Sequence, residues 1–287
     1  MSLFEKKDIK YEMKLLSSLE KVFPDETPVY RMECQLLSGL WGETVSFQVA
    51  YMGDYFMRER LDVRVVSELG EHVHVRTVEM VPVGRATNGI VDDNYLKTIS
   101  GLYPDLLKDL KDGKVIVYSR QWRSLWVDVD ITNEIPAGEY EIELQLVKEG
   151  EVVCSAKQKV TVIGTELPKL DIMHTEWMHA DCLADYYHVE VFSEEHWKLL
   201  ENYFQEYVKR DCNMMLTPLF TSPLDTAIGL ERTTCQLIDV EVKDGEYVFG
   251  FEKLKRWIDL CKKCGIEYFE MSHLFSQWGA KYAPKVV

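Results

Sequence analysis

The chain has 287 residues, a formal net charge of −15, 46% hydrophobic and 28% charged residues. That is enough polypeptide for two domains with sizeable cores, and its acidity argues against nucleic acid or an anionic membrane as partner, since both need a basic face. No apolar run approaches the ~20 residues that cross a bilayer. Seven scattered cysteines fit reduced thiols better than a disulfide framework. The charged start Met1-Ser-Leu-Phe-Glu-Lys-Lys-Asp8 has no apolar signal-peptide core, so the expected compartment is the cytoplasm.

Residues 1–165 read as β structure. An amphipathic segment from Tyr11 to Val22 is expected to pack beside the strands. Thr44 to Tyr51 alternates apolar and polar residues, the period of a half-buried strand. The same alternation recurs in Leu61–Val66, Val73–Val78, Leu125–Ile131, Tyr140–Val147 and Lys157–Ile163. Turn signals separate them at Asn133-Glu-Ile-Pro-Ala-Gly138 and Glu149-Gly150. Many short alternating strands without intervening helices predict an antiparallel, immunoglobulin-like β-sandwich.

The pattern changes near Gly164-Thr-Glu-Leu-Pro168, which reads as a linker. Residues 166–287 then alternate strands with helices. Leu170-Asp-Ile-Met173 predicts a first strand and Ser193-Glu-Glu-His196 caps a helix through about Lys209. Met214 opens a second strand, and Gln236 to Phe251 predicts a hairpin around Asp244-Gly245. A helix from Phe251 to Cys264 stops at Gly265, and a third strand starts near Tyr268. This is the opening of a TIM-type (β/α)8 barrel, in about half of the ~250 residues that a complete barrel takes. Three strands with open edges would expose apolar surface, so the expectation is a longer polypeptide or a partner that closes the sheet. Homo-oligomerisation is left open.

Three apolar runs end in polar and aromatic residues, as barrel strands do where they open on an active-site face. They end in His174-Thr-Glu-Trp-Met-His-Ala-Asp181, in Thr217-Pro-Leu-Phe-Thr-Ser-Pro223, and in Ser272-His-Leu-Phe-Ser-Gln-Trp-Gly279. Trp177, His179, Asp181, His273 and Trp278 are therefore expected to line one sugar-sized pocket. The tryptophans would stack on a sugar ring, and His179, Asp181 and His273 would hydrogen-bond its polar groups or serve a structural role. Asp225 and Arg232 would either ligate hydroxyls or pair with each other. His174, His179, Asp181 and His273 also invite a metal reading, weakened because the two strand histidines would point to opposite faces. Cys261-Lys-Lys-Cys264 is a single pair where a structural zinc needs four ligands. No metal or cofactor is expected.

With Trp41-Gly-Glu-Thr-Val-Ser-Phe-Gln-Val, Leu102-Tyr-Pro-Asp-Leu-Leu107 and Ser124-Leu-Trp-Val-Asp-Val in the sandwich, and Trp177-Met-His-Ala-Asp-Cys-Leu-Ala beyond it, the chain resembles glycoside hydrolase family 123. The resemblance covers nearly the whole chain. It implies exo-acting hydrolysis of β-linked N-acetylgalactosamine by substrate-assisted catalysis, with a carbohydrate as partner and a consecutive Asp-Glu pair on a later barrel strand. In this sequence Asp-Glu occurs once, as Asp25-Glu26 in the sandwich half, so no catalytic residue is assigned. The rival readings are a non-catalytic carbohydrate-binding protein and a scaffold whose sandwich mediates oligomerisation.

Overall fold

The structure, a computed structural model, describes residues 10–29, 36–54, 58–87, 89, 91–169, 171–221, 230–273 and 283–287. It divides into two compact units, residues 1–168 and 169–287. Among the described residues no helix is long and apolar enough to cross a membrane.

The first unit holds ten strands in two five-stranded sheets. Five of them, β1 (Tyr11–Ser17), β3 (Thr44–Gly53), β5 (Val73–Val83), β6 (Gly101–Asp109) and β8 (Arg123–Asp130), build one sheet in the order β1-β3-β8-β5-β6. The other sheet contains β2 (Leu37–Trp41), β4 (Glu59–Val66), β7 (Lys114–Val117), β9 (Gly138–Lys148) and β10 (Glu151–Glu166), ordered β2-β10-β9-β4-β7. All pairings are antiparallel except β2 with β10.

Period-two alternation decides what each strand buries. Phe47, Val49, Leu125, Val127 and Val129 of one sheet share a core with Leu61, Ile142, Leu144, Leu146 and Val160 of the other. Each such side chain stabilises the sandwich by about 2 kcal/mol relative to exposure. The two-layer expectation thus describes this unit. The segment from Tyr11, expected beside the sheets, is an edge strand within one of them. The linker expected at Gly164 starts later, because β10 continues through Glu166.

Prolines fall where a missing N–H interrupts no central ladder. Pro104 lies in β6, at a sheet edge, where a missing N–H leaves no central ladder broken. Pro82 lies in β5, beyond Val78, where pairing to β8 ends. The Asp25-Glu26 carboxylates both meet Lys97 Nζ at 2.9 Å, and that ammonium sits 4.0 Å from the centroid of the Phe23 ring.

In the second unit α1 (Ala180–Tyr187) and α2 (Glu194–Val208) precede β11 (Met214–Thr217), the hairpin β12 (Asp239–Lys243) and β13 (Glu246–Gly250), α3 (Glu252–Cys264) and β14 (Tyr268–Met271). Ser193 Oγ caps α2 by accepting the His196 N–H, and Gly265 ends α3 at φ 104°. Asp244 and Gly245 turn the hairpin with both φ values positive. Trp197, Leu200 and Phe204 of α2 pack with Trp257 and Cys261 of α3 in the unit's core. The Phe204 ring meets Trp257 edge-on, with centroids 5.0 Å apart.

β11 and β14 pair in parallel, Met214 with Tyr268 through Thr217 with Met271. With α3 between them they form one strand–helix–strand unit. Two expectations need correction here. The run after Leu170 forms no strand over residues 171–179, where Ile172 and Met173 are 62% and 65% exposed. Its backbone is satisfied by side chains instead. Asn213 accepts the His174 N–H through Oδ1 at 2.8 Å and donates to the Ile172 carbonyl at 2.8 Å. The Tyr207 hydroxyl accepts the Glu176 N–H at 2.7 Å. Helix α1 is the second difference, and it moves Asp181 from a strand end to a helical first turn.

Candidate functional site

The carboxyl ends of β11 and β14 lie side by side, because the ladder continues into the Ser272 N–H, which donates to the Thr217 carbonyl at 2.9 Å. Segment 174–177 is pinned nearby through Asn213 and Tyr207, and this sets where Trp177 begins. Four of the five expected residues are described here, Trp177 and His273 in one contact and His179 and Asp181 along a separate cavity. Trp278 lies outside the described residues, as does Asp225.

Trp177 is 44% exposed, and its indole N–H donates to Glu270 Oε2 at 3.0 Å. Its ring meets His273 edge-on, with centroids 5.3 Å apart. His273 Nε2 lies 3.7 Å from Glu270 Oε1, while its Nδ1 is buried with no hydrogen-bond partner among the described residues. Glu270, the residue joining the two rings, is not among the residues that the sequence singles out. As the polar member of the Tyr268-Phe-Glu-Met run it reads as an ordinary outward-facing strand residue. The signal available was its position two residues before the strand-end Ser272-His273.

His179 and Asp181 line a second feature, a narrow cavity of about 20 Å³ that also meets Leu216, Thr221, Arg232 and Ser272. That is room for about one water, not a sugar ring. Asp181 is engaged inward. Arg232 Nε and Nη2 donate to its two carboxylate oxygens at 2.8 and 3.0 Å, with each side chain 9% exposed. Arg232 therefore pairs with Asp181, while Asp225, the expected partner, lies outside the described residues. The structural reading of Asp181 gains over the sugar-binding one. Ser272 Oγ is buried in this cavity wall with no hydrogen-bond partner among the described residues.

Beneath this layer His196 ties α2 to α1. Its Nδ1 accepts the Phe192 N–H at 2.9 Å and its Nε2 donates to the Ala180 carbonyl at 2.9 Å. Burial holds its pKa below the ordinary 6.5.

The metal reading does not match the geometry. Among the described residues no three His, Cys, Asp or Glu side chains are grouped to hold an ion. His174 sits instead against Cys212, with Sγ 3.8 Å from Nδ1, at the amino-terminal side of β11. Cys261 is fully buried in the helix core, and burial pushes its thiol pKa far up.

The glycoside hydrolase 123 catalytic-domain model matches residues 177–287. Among solved structures, the chain is similar to a family 123 glycoside hydrolase from Clostridium perfringens at 13% identity and a TM-score of 0.67. That match covers 92% of this chain and 48% of the other, so this chain spans about half the length of that enzyme. At such identity the likeness shows the fold alone. A β-glucosidase from Listeria innocua in complex with isofagomine matches at 11% identity over 57% of this chain and 18% of its own, with a TM-score of 0.26, too low to carry an argument. No curated protein sequence matches. Over residues 177–287 the chain is thus similar to the catalytic domain of glycoside hydrolase family 123.

Proposed function

We propose that this chain is part of a glycoside hydrolase acting from the chain end on β-linked N-acetylhexosamine, with N-acetylgalactosamine the first candidate. The observation that carries this reading is the catalytic-domain match over residues 177–287. In it, β11, α3 and β14 are an early section of a (β/α)8 barrel, and Trp177, His179 and His273 face substrate at the carboxyl ends of the strands. Trp177 offers a rigid, half-exposed ring face for the apolar side of a sugar. Its environment is cytoplasmic, with thiols kept reduced.

The chemistry is substrate-assisted. The acetamido oxygen of the sugar attacks the anomeric carbon as the glycosidic oxygen leaves and takes a proton from a carboxylic acid. A neighbouring carboxylate steadies the positive charge on the acetamido-derived ring, and water then opens it with retention. Such chemistry needs an acid kept protonated beside an ionised partner. Asp25-Glu26 does not suit that role, because Lys97 meets both carboxylates and its hydrogen bond holds Asp25 below the usual carboxylate range. The reading therefore requires an Asp-Glu pair on a later barrel strand of a longer polypeptide.

The test is turnover of aryl N-acetyl-β-galactosaminide and N-acetyl-β-glucosaminide by the full-length gene product. Release from either supports a hydrolase and ranks the sugars, whereas no release from any aryl glycoside counts against an enzyme. The rival reading is a carbohydrate-binding protein without catalysis. Glycan-array binding by a full-length protein that lacks the pair would establish that rival.

A further inference from the structure

Glu270 ends up between two rings that the sequence pointed to, and it touches both. Its side chain is 22% exposed, sheltered but within reach of solvent. Oε2 accepts the Trp177 indole N–H at 3.0 Å and Oε1 faces His273 Nε2 at 3.7 Å. The edge-on contact of the two rings closes the circuit. Trp177 comes from a segment with no ladder of its own, so nothing in a sheet fixes its ring. His273 is already past the end of β14. Glu270 is the member that sits on a strand, and a strand is the more rigid mount.

An exposed indole without a partner for its N–H samples several rotamers, and binding a sugar must then freeze it. Each immobilised side chain costs binding about 0.5–1.5 kcal/mol. A carboxylate already holding the N–H at the ring's edge removes that cost beforehand, and the ring stays 44% exposed. We propose that Glu270 is a positioning residue: it fixes the Trp177 ring as a preorganised platform for a sugar and holds His273 at its edge. This rests on the reading of residues 177–287 as a sugar site. Glu270 acts through Trp177 and makes no bond with the reacting atoms.

The experiment compares Glu270→Ala, Glu270→Gln, Trp177→Phe and the double variant Trp177→Phe/Glu270→Ala in the full-length protein. The first readout needs no substrate. In a ¹⁵N-tryptophan spectrum, the indole resonance that disappears in Trp177→Phe is that of Trp177. It should lie downfield in the wild type and in Glu270→Gln, which keeps an acceptor oxygen, and move upfield in Glu270→Ala. The second readout is KM and kcat on aryl N-acetyl-β-galactosaminide. Glu270→Ala should raise KM roughly three- to tenfold, the range set by the cost of immobilising one side chain, with kcat changed less than about twofold. Glu270→Gln should recover most of that loss. In the Trp177→Phe background, where no N–H remains, Glu270→Ala should add nothing.

An unmoved indole resonance overturns the proposal. So does full additivity of the two substitutions, or a loss confined to kcat, which would put Glu270 at the reacting atoms. If the resonance behaves as expected but the wild type neither binds nor cleaves the glycoside, the sugar-site reading has failed and the platform falls with it.

Discussion

Replacing Arg232 by Met tests whether the Asp181–Arg232 pair anchors the candidate site. The substitution keeps the stem and removes the guanidinium, leaving Asp181 with a side chain only 9% exposed and no counter-charge. Breaking a buried pair from one side costs about 3–5 kcal/mol, since the remaining charge stays desolvated. Asp181 lies in the first turn of α1, where the helix dipole offsets about 0.5–1 kcal/mol. The Arg232 contact to Cys182 Sγ at 3.2 Å is a weak one and alters this little. The expected net loss is about 2–4 kcal/mol, a large part of a typical stability of ~5–15 kcal/mol.

The assay is a urea titration read by hydrogen exchange of peptides from α1 and α2, which separates this unit from the sandwich. The double variant Asp181→Leu/Arg232→Met should recover most of the loss, because apolar groups of similar volume can replace a buried pair at little cost. A loss below ~1 kcal/mol for Arg232→Met would show that the pair is solvated in practice. A double variant as unstable as the single one would place the effect in packing rather than in the orphaned charge.

Three further outcomes follow from other contacts. Trp177→Ala should weaken sugar binding by about 1–3 kcal/mol in a calorimetric titration while shifting the unfolding midpoint little, since the ring is 44% exposed. Equal losses of binding and stability would make it a core residue. The second unit should lose stability as pH falls below 6.5: His196 has its folded pKa depressed by burial, so the unfolded chain binds the proton first. His196→Gln should flatten that slope in acid denaturation curves, and an unchanged slope would assign it to other groups. Asp25→Asn/Glu26→Gln should leave kcat on aryl glycosides unchanged, because both carboxylates are occupied by Lys97; a collapse of kcat with the fold intact would place catalysis in the sandwich.

Alternation of period two exposed six of the ten described sandwich strands, because along β3, β4, β5, β8, β9 and β10 apolar residues of the shared core alternate with mostly polar ones. The strands that escaped lacked that contrast. β7 is only four residues long, and β6 carries Pro104 and leaves Leu102 and Leu106 more than half exposed. β1 is a sheet edge whose residues are mostly half-buried, so Tyr11-Glu-Met-Lys-Leu-Leu-Ser17 offers no clean face. Helix caps and the hairpin turn were plainer signals, since Ser193, Gly265 and Asp244-Gly245 each answer a local backbone demand that no distant contact sets.

The site was harder to read for a physical reason. Apolar residues before Trp177 resemble a barrel strand, yet their backbone partners are the side chains of Asn213 and Tyr207, about forty and thirty residues away. No local pattern announces a hydrogen bond of that reach. Asp181 and Arg232 lie 51 positions apart, and only the fold reveals that each neutralises the other. Residue type alone singled out Trp177, His179 and His273, the groups proposed to meet a sugar. It could not find Glu270, whose significance lies in what it holds rather than in what it is. A carboxylate midway along a short strand is ordinary until a tryptophan N–H is found 3.0 Å from its oxygen. Residues that would touch a ligand are thus readable from chemistry, whereas those that would fix its contacts in place become readable only from geometry.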